Sequence, residues 1–221
     1  MPPRAPVAPP PPRSVDDSLP FRFVGGDVSL DLVNTVDWTD RGPERDRLGS
    51  YNRLVDWAVA VQILDELEAA RLRRRAATRT AEAAEVHSRA TALRWTLKRL
   101  ADALAEESRD ETAARDALGK LNEFLAESLP HARLDFPAAG GTAPKWGWTR
   151  EPDRLDAFLW PIVRAAAELV SSPEVTRLRV CPGPDCGWVY VDRSRNGLRR
   201  WCEMSTCGTD EKTRRRRERS K

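Results

Sequence analysis

The chain has 221 residues, of which 40% are apolar and 32% are charged. This composition suits one substantial core with a small appended module, and it excludes a chain that is disordered throughout. No apolar run approaches the roughly 18 residues needed to cross a bilayer, and the first 30 residues lack the features of a signal peptide, so we expect a cytoplasmic protein with no membrane partner. The net charge of +3 is unevenly distributed: residues 177–221 carry 13 Lys or Arg against six Asp or Glu, a net of +7, which leaves −4 for residues 1–176. Only the C-terminal piece is therefore suited to binding a polyanion.

The first 20 residues are rich in proline. Eight of the 17 prolines lie there, and the run Pro9-Pro10-Pro11-Pro12 cannot form a helix and offers almost nothing to bury. We therefore predict a disordered or polyproline tail over residues 1–20. A proline-rich docking ligand is the alternative interpretation.

The segment after the tail predicts one strand, one helix and one loop. Alternating aromatic residues in Phe21–Val24 stop at Gly25-Gly26, a pattern typical of a short strand and a turn. Val28–Val36 is ambiguous, because its β-branched residues suit a strand while its apolar residues can also share one helical face, and we favour the helix. Arg41–Asp46 is highly charged and contains a Gly-Pro pair, which indicates a loop.

Three amphipathic helices are predicted next, because apolar residues recur at steps of three and four and form one face of each helix. The face of the first helix consists of Leu54, Trp57, Val61, Leu64 and Leu67. The second helix covers roughly Ala81–Glu107, and the third runs over about Thr112–Leu129, where Pro130 ends it. We expect these faces to form the core.

A β-hairpin and a fourth helix complete the upstream domain. Ala132–Phe136 and Lys145–Thr149 alternate on either side of Gly140-Gly141, as the strands of a hairpin do. A helix is predicted over Asp153–Val170, with its first residue as the N-cap. The sequence therefore predicts a mainly α fold, α+β in class, in which a helical N-terminal domain over residues 21–173 includes one short hairpin.

Four cysteines in the last 41 residues form the strongest chemical pattern in the chain. Cys181 and Cys186 make one pair, Cys202 and Cys207 make a second, and fifteen residues separate the two. Two such pairs can place four thiolates around one ion, which is the tetrahedral set that zinc prefers. Metal ligation suits a reducing cytoplasm; disulfides, an iron–sulfur cluster and unligated thiols are the alternatives.

The predicted zinc ion is structural. Four thiolates leave no coordination position for water, and a module this small cannot stabilise itself by burial alone, so zinc binding would supply its folding energy. We assign this module to residues 174–221. A knuckle that only stabilises the chain end is the plainer alternative to a binding module.

Basic and aromatic residues alternate around the cysteines. We predict a strand over Trp188–Val191, a turn at Asn196-Gly197 and a return strand over Leu198–Trp201. Asp210–Arg219 has acids first and bases last, which suits the dipole of a helix, with a frayed tail as the alternative. Guanidinium groups in such segments can contact phosphates and bases. The candidate nucleic-acid contacts are Arg193, Arg195, Arg199, Arg200, Lys212, Arg214, Arg215, Arg216 and Arg217.

The upstream domain offers little catalytic chemistry. Its two histidines, His87 and His131, stand in no recognisable catalytic pattern, and no nucleotide-binding loop or HExxH motif is present, so we expect no enzymatic activity. Asp31 and Asn34 are the candidate ligand-contact pair. Alternatively, Asn34 and Thr35 cap or turn the backbone.

The C-terminal segment resembles the CGNR-type zinc-finger proteins of bacteria over about Arg177–Arg219. The resemblance is carried by Cys181, Cys186-Gly187-Trp188, Asp192-Arg193-Ser194-Arg195-Asn196, Arg199-Arg200-Trp201-Cys202 and Cys207-Gly208. Residues 21–170 are similar to the ABATE domain that precedes the finger in those proteins. This second resemblance is carried by Leu30–Thr35 and the Leu-rich helix that contains Trp57.

The resemblance implies a transcription regulator. Its finger, treble-clef or ribbon-like, is expected to bind DNA, and its upstream domain is expected to sense a stress signal or small-molecule ligand; an RNA-binding or protein-interaction module is the alternative. The chain departs from the motif that names the finger, because Cys207-Gly208 is followed by Thr209-Asp210 and not by Asn-Arg. If that arginine contacts phosphate in relatives, this chain lacks one contact and carries an acid in its place, while its zinc ligands are intact.

Overall fold

A run of four α-helices, flanked by short strands and further helices, makes up most of the computed structural model, which describes residues 10–39, 41–105, 110–136, 142–183 and 185–218. The helices of this part are α1 Val28–Val33, α2 Tyr51–Ala60, α3 Glu66–Thr78, α4 Thr80–Leu104, α5 Glu111–Ser128, α6 Trp160–Ser171 and α7 Thr209–Glu218. The strands are β1 Ser14–Val15, β2 Val36–Thr39, β3 Gly42–Asp46, β4 Ala132–Asp135, β5 Lys145–Trp148, β6 Leu178–Val180 and β7 Val189–Val191. Mainly helical content with few short strands confirms the predicted fold class.

The first three strands form a small sheet in the order β1–β3–β2. Strands β2 and β3 are antiparallel, and β1 runs parallel to β3 with Val15 opposite Asp46. Two predictions for this region are wrong: Arg41–Asp46 holds a strand and not a loop, and Phe21–Val24 has no strand pairing. The charged strand β3 is tied to the core because the buried carboxylate of Asp46 pairs with Arg94 of α4.

The proline-rich segment is ordered where it meets this sheet. Residues 1–9 lie outside the described part of the chain. Beyond strand β1, the backbone N–H of Asp16 donates to the carbonyl of Asp46 at 2.8 Å, and the carboxylate of Asp17 accepts from Gly49 at 2.7 Å. The structure therefore differs from the predicted disordered tail at residues 14–17, where main-chain pairing with β3 outweighs the loss of chain entropy.

Helix α4 is the centre of the helical core. It packs against α1, α2, α3 and α5 and buries Val86, Leu93, Leu97 and Leu100, which confirms the predicted apolar face. Glu107, at the predicted end of this helix, lies outside the described residues. The helix favoured for Val28–Val36 is confirmed over Val28–Val33, whereas Val36 begins strand β2. Asp27 caps the start of α1 by accepting the backbone N–H of Ser29.

The first predicted amphipathic helix is two helices. After α2, Gln62 adopts a left-handed backbone with φ of 62°, and Asp65 then caps α3 in a reciprocal capping box. Trp57 is fully buried as expected, whereas Leu67 lies in the first turn of α3 and is 66% exposed. The buried face of α3 consists of two alanines and one leucine, which is too weak an apolar pattern to predict a separate helix.

The hairpin and the last core helix largely follow the prediction. Strands β4 and β5 are antiparallel, with Leu134 opposite Trp146, and the Gly140-Gly141 turn lies outside the described residues. Asp153 is not the N-cap of α6, because its carboxylate pairs with Arg75 and α6 begins seven residues later. The apolar residues of this predicted helix are nevertheless buried: Leu155, Phe158, Leu159, Ile162, Val163 and Leu169.

The C-terminal module is built on the antiparallel β6–β7 hairpin, which encloses the first cysteine pair. The predicted strand is confirmed at Val189–Val191, but Leu198–Trp201 is not a strand, because β7 pairs with β6. Helix α7 directly follows the second cysteine pair, which favours the treble-clef alternative over a ribbon built of strands alone.

One hydrophobic core runs through both regions of the chain. Trp188 and strand β7 belong to the same buried cluster as Leu30 and Leu32 of α1. Within the described residues, no helix combines the length and apolar character needed to cross a membrane.

Candidate zinc centre and nucleic-acid interface

The four cysteine sulfurs converge on one point. All four Sγ atoms lie within 4.8 Å of one another, and that of Cys202 is 3.8 Å from Cys186 and 3.6 Å from Cys207. A tetrahedral site with Zn–S bonds of about 2.3 Å places its sulfurs about 3.8 Å apart. A disulfide requires about 2.05 Å. The arrangement therefore fits one zinc ion, and the four cysteines are free thiols and not disulfides.

The thiols do not ionise independently. Hydrogen bonds from Cys186 and Cys202 lower the pKa of Cys181, whereas hydrogen bonding with Cys181 raises the pKa of Cys186. Hydrogen bonds with Cys181 and Cys186, together with burial, raise the pKa of Cys202. Negative charge is thus confined to part of the cluster until a cation replaces the remaining protons, as zinc does when it binds thiolates.

Tight turns bring the two cysteine pairs together. A Cβ added to Gly183 would lie 2.9 Å from the Cys207 sulfur and 3.3 Å from the Cys186 Cβ, so glycine permits this close approach. The backbone N–H of Cys202 donates to the Cys181 sulfur at 3.3 Å. The last ligand lies in a single π-helical turn, Met204–Gly208, that leads into α7.

Two of the arginines predicted to contact nucleic acid form ion pairs within the protein. Arg193 makes a two-point ion pair with Glu174, with both contacts at 2.8 Å, and donates to the carbonyl of Gly26. Arg214 pairs with Glu211 at 2.9 Å and with a second glutamate of α7 at 2.6 Å. Their charges are therefore already compensated in the folded protein.

A third candidate, Arg199, is part of the internal structure of the finger. Its guanidinium lies 4.3 Å from the ring centre of Tyr190 and donates to the carbonyls of Val24 and Cys202. Arg199 thus joins the upstream domain to the zinc knuckle. Sequence reasoning missed this role, because Val24 lies 175 residues before Arg199 in the chain.

The other basic candidates reach the surface. Exposed side chains are those of Arg195, Arg200, Lys212, Arg216 and Arg217. The guanidinium of Arg200 lies 5.4 Å from the ring centre of the half-buried Trp201, so a cation and an aromatic face lie together beside the zinc site. The side chain of Arg215 lies outside the described part of the structure.

The departure from the CGNR motif falls at the start of α7. The hydroxyl of Thr209 donates to the carbonyl of Met204 at 3.0 Å. Asp210 and Glu211 place acids in the first helical turn, where the helix dipole favours them. Residues that start a helix therefore occupy the positions of the motif's Asn-Arg.

The Asp31–Asn34 pair, predicted as ligand contacts, is engaged by the protein itself. Asn34 is 1% exposed; its Oδ1 accepts the N–H of Val189 at 2.9 Å, and its Nδ2 donates to the carbonyl of Val189 at 2.8 Å. Asp31 accepts the N–H of Gly25 at 2.8 Å. Burial raises the pKa of Asp31 to about 6, although backbone hydrogen bonds act in the opposite direction. The hydroxyl of Thr35 donates to a carbonyl of α1, as a turn residue does.

The upstream domain completes the free edge of β7, a feature that the sequence did not predict. The N–H of Gly187 donates to a carbonyl of β2 at 2.6 Å, Val189 forms two bonds with Asn34, and the N–H of Val191 donates to the carbonyl of Gly25 at 2.9 Å. Every second residue of this edge is therefore bonded to the upstream domain, while the opposite edge pairs with β6. The finger is held in a fixed position and is not a tethered module.

A cleft of about 360 Å³ lies between the β2–β3 hairpin and the cysteine cluster. Its lining includes Trp38, Trp188 and three of the cysteines. The charged residues of the lining are Arg22, Arg41, Arg45, Arg47, Asp37, Glu44 and Asp185. The guanidinium groups of Arg22 and Arg47 lie 5.6 and 5.4 Å from the ring centre of Trp188. The volume falls within the range of small-molecule sites, whereas the lining is more strongly charged than is usual for them and includes cysteines of the zinc cluster.

Comparison with known proteins agrees with this geometry. Residues 26–173, more than half of the chain, match the ABATE family model, which is described as "Putative stress-induced transcription regulator". Residues 177–220 match the model described as "CGNR zinc finger". No curated protein matches the chain. The two matches follow one another in the predicted order and confirm both resemblances. The chain therefore belongs to the ABATE family and ends in a CGNR zinc finger, whose four clustered cysteines fit one structural zinc ion.

Proposed function

We propose that this protein is a cytoplasmic, non-enzymatic transcription regulator that binds DNA through the basic surface of its zinc finger. The observation that carries the proposal is the charge division: residues 177–221 hold a net of +7, while residues 1–176 hold −4. A cationic module on an otherwise acidic protein concentrates attraction for a polyanion on one surface.

The zinc cluster supports the proposal because it orders the basic residues. Cys207 lies in the turn that leads into α7, so the exposed side chains of Lys212 and Arg217 are held at a set distance from the metal site. Arg195 and Arg200 project from the segment between the cysteine pairs. We expect phosphate contacts from these exposed residues, and none from the internally bonded Arg199.

Salt-dependent titration of a labelled duplex tests the proposal. The zinc-loaded full chain is expected to bind with a steep loss of affinity as salt rises, by about 0.9 in the log–log slope for each phosphate contact. The double variant Arg200→Ala/Arg217→Ala should reduce the slope by about two contacts. Arg115→Ala, which removes an exposed arginine of α5, is the matched control. Absence of binding at low salt with zinc present refutes the proposal.

A protein-interaction or RNA-binding role is the second candidate, favoured by exposed apolar side chains within the finger. Leu198 is 74% exposed and Met204 is 53% exposed, and the half-buried Trp201 lies between them in the chain. Single-stranded RNA that outcompetes duplex DNA would favour the RNA role. Recovery of a stable protein partner without nucleic acid would favour the interaction role.

We place the proposed signal-binding function in the cleft beside the cysteines, because a molecule bound there would contact both matched regions. A thermal-shift screen of small molecules against the zinc-loaded chain provides candidate ligands. Thr39→Trp, at the cleft wall, should abolish their stabilisation by filling the cleft, whereas Thr112→Trp on the exposed face of α5 should not. Ligands that stabilise Thr39→Trp as well as wild type refute this location.

A further inference from the structure

A short segment of the upstream domain, here named the strap (Val24–Gly26), bonds to the finger through all of its carbonyl groups. The Val24 carbonyl accepts from the Arg199 side chain at 2.9 Å, and the Gly25 carbonyl accepts from the backbone N–H of Val191 at 2.9 Å. The Gly26 carbonyl accepts from the Arg193 side chain. The strap has no strand partner within its own domain in the described structure. Its carbonyls therefore serve as a row of acceptors for the finger.

Asp31 holds the strap on its opposite side. The carboxylate accepts the N–H of Gly25 at 2.8 Å, and hydrogen bonding from the backbone of Val24 also acts on it. The N–H and C=O of a trans peptide point in opposite directions. The Gly25 N–H and the Val24 carbonyl belong to one peptide, so the carboxylate that binds this N–H turns the Val24 carbonyl outward, toward Arg199 of the finger, and fixes the adjoining Gly25 whose carbonyl accepts from Val191.

The contact between Asp31 and the strap is close enough to require glycine. A Cβ added to Gly25 would lie 2.8 Å from the Leu30 Cβ and 3.0 Å from the Asp31 Oδ1. Gly26 has φ of +76°, a left-handed conformation that favours glycine. Both features bring the strap directly onto the start of α1.

We propose that Asp31 is a positioning residue that sets the zinc finger in place through the strap, and that protonation of its carboxyl group loosens this hold. The inference goes beyond the proposed DNA binding and does not depend on what the finger binds. It assigns an intramolecular role to a residue that the sequence suggested as a ligand contact.

The environment of Asp31 determines the pH at which its hydrogen bonds to the strap weaken. Burial is the largest effect, the backbone hydrogen bonds of the strap oppose it, and the neighbouring carboxylate of Asp27 adds to it, with the net result that the pKa is raised to about 6. On the finger side of the strap lie the cations of Arg193, which is paired with Glu174, and of Arg199. A protonated carboxyl has one fewer acceptor oxygen for the strap amides. The strap hydrogen bonds lower the pKa of Asp31, so a carboxyl that stays buried takes up a proton more readily without them, and loosening of the strap is expected as the pH falls through about 6. Global unfolding exposes the carboxyl and therefore has the opposite pH dependence.

Amide spectra and hydrogen exchange of the zinc-loaded full chain test the proposal. Between pH 5 and 7.5, the Gly25 amide should titrate with a midpoint near the pKa of Asp31, about 6. Exchange at Val191, corrected for its intrinsic pH dependence, should become faster as the pH falls. In Asp31→Asn the titration should vanish, and Val191 should exchange about tenfold faster at pH 7.5, as expected from losing a hydrogen bond to a charged group. Native mass spectrometry at each pH verifies that zinc stays bound.

Reference positions separate this effect from general destabilisation. Val189 lies on the same strand but is held by Asn34, so its exchange should change little, as should that of Leu121 in α5. Asp116→Asn, which removes an exposed carboxylate of α5, is the matched control and should behave as wild type.

Gly25→Ala keeps the Asp31 carboxylate but displaces the strap, and it should reproduce the faster exchange at Val191 even if Asp31→Asn does not fold. Three results would overturn the proposal: a Gly25 amide that does not titrate, unchanged exchange at Val191 in the folded variants, or equal acceleration at Val191, Val189 and Leu121.

Discussion

The bond pair between Asn34 and Val189 gives the sharpest test of how the finger is attached. The Asn34 carboxamide forms both hydrogen bonds that a neighbouring strand would form, at 2.8 and 2.9 Å, and it is buried. In Asn34→Ala, the N–H and the C=O of Val189 both lose their partners. Each unsatisfied buried group costs about 1–3 kcal/mol, so we expect a loss of about 2–6 kcal/mol in the free energy of unfolding. This is a large fraction of the about 5–15 kcal/mol typical of a folded domain.

Urea unfolding followed by circular dichroism measures this loss, with zinc in all solutions. Asn122→Ala, which removes an exposed amide from α5, is the matched control and should stay within about 0.5 kcal/mol of wild type. Asn34→Asp keeps an acceptor for the Val189 N–H but places a second acceptor against the Val189 carbonyl. It should therefore be destabilised although its side chain has the same shape. If Asn34→Ala unfolds at the same urea concentration as Asn122→Ala, the edge of β7 does not depend on this side chain.

Three further predictions concern the zinc site and two buried charges. Removing zinc with a chelator, or Cys202→Ser, should unfold the finger and also lower the urea midpoint of the helices, because both share one core; near-ultraviolet circular dichroism unchanged from wild type would contradict this. Arg94→Met should destabilise the protein by about 3–5 kcal/mol, because the buried Asp46 carboxylate loses its partner. Arg115→Met on the surface should cost little in the same urea assay, and equal costs for the two variants would refute the role of the pair. The pKa of Asp31 is raised to about 6 from 3.8, so the folded state holds this proton more tightly; the associated stability is full below about pH 4 and is lost as the pH rises through 6. Relative to Asp31→Asn, wild type should lose about 1.4 kcal/mol between pH 5 and 7.5, and a pH-independent difference between the two proteins would show that the carboxyl group is not perturbed.

The features predicted correctly depend on short stretches of sequence. The spacing of Cys181 and Cys186, repeated in the second pair, indicates a tetrahedral site without knowledge of the fold. The period of Leu93, Leu97 and Leu100 similarly indicates the buried face of α4. In both cases the residues that act together are close in the chain, so their pattern is visible locally.

The missed features depend on partners that are far apart in the chain. Strand β3 carries charged residues and a proline, and its burial depends on Arg94, which lies 48 residues beyond Asp46. Asn34 lies 155 residues before Val189. Its side-chain amide takes the place of a neighbouring strand, so the sequence around Asn34 does not show the alternation of apolar and polar residues that would indicate a strand. For the same reason, the sequence could not separate the internally bonded Arg199 from the exposed Arg200, although the two are adjacent.

The attachment of the finger determines where its basic residues lie relative to the upstream domain. If the zinc site were present without the upstream domain, this edge of β7 would be open. The backbone groups of Gly187, Val189 and Val191 would then lack protein partners. Those groups are bonded to three separate places on the upstream domain: strand β2, the end of α1 and the strap. A change in any one of them alters where the basic residues stand relative to the rest of the protein. Binding of a molecule in the cleft next to β2 would act on the first of these contacts, and protonation of Asp31 would act on the third. A change at any of these contacts would therefore reposition the finger without a hinge, because the two regions share a strand edge.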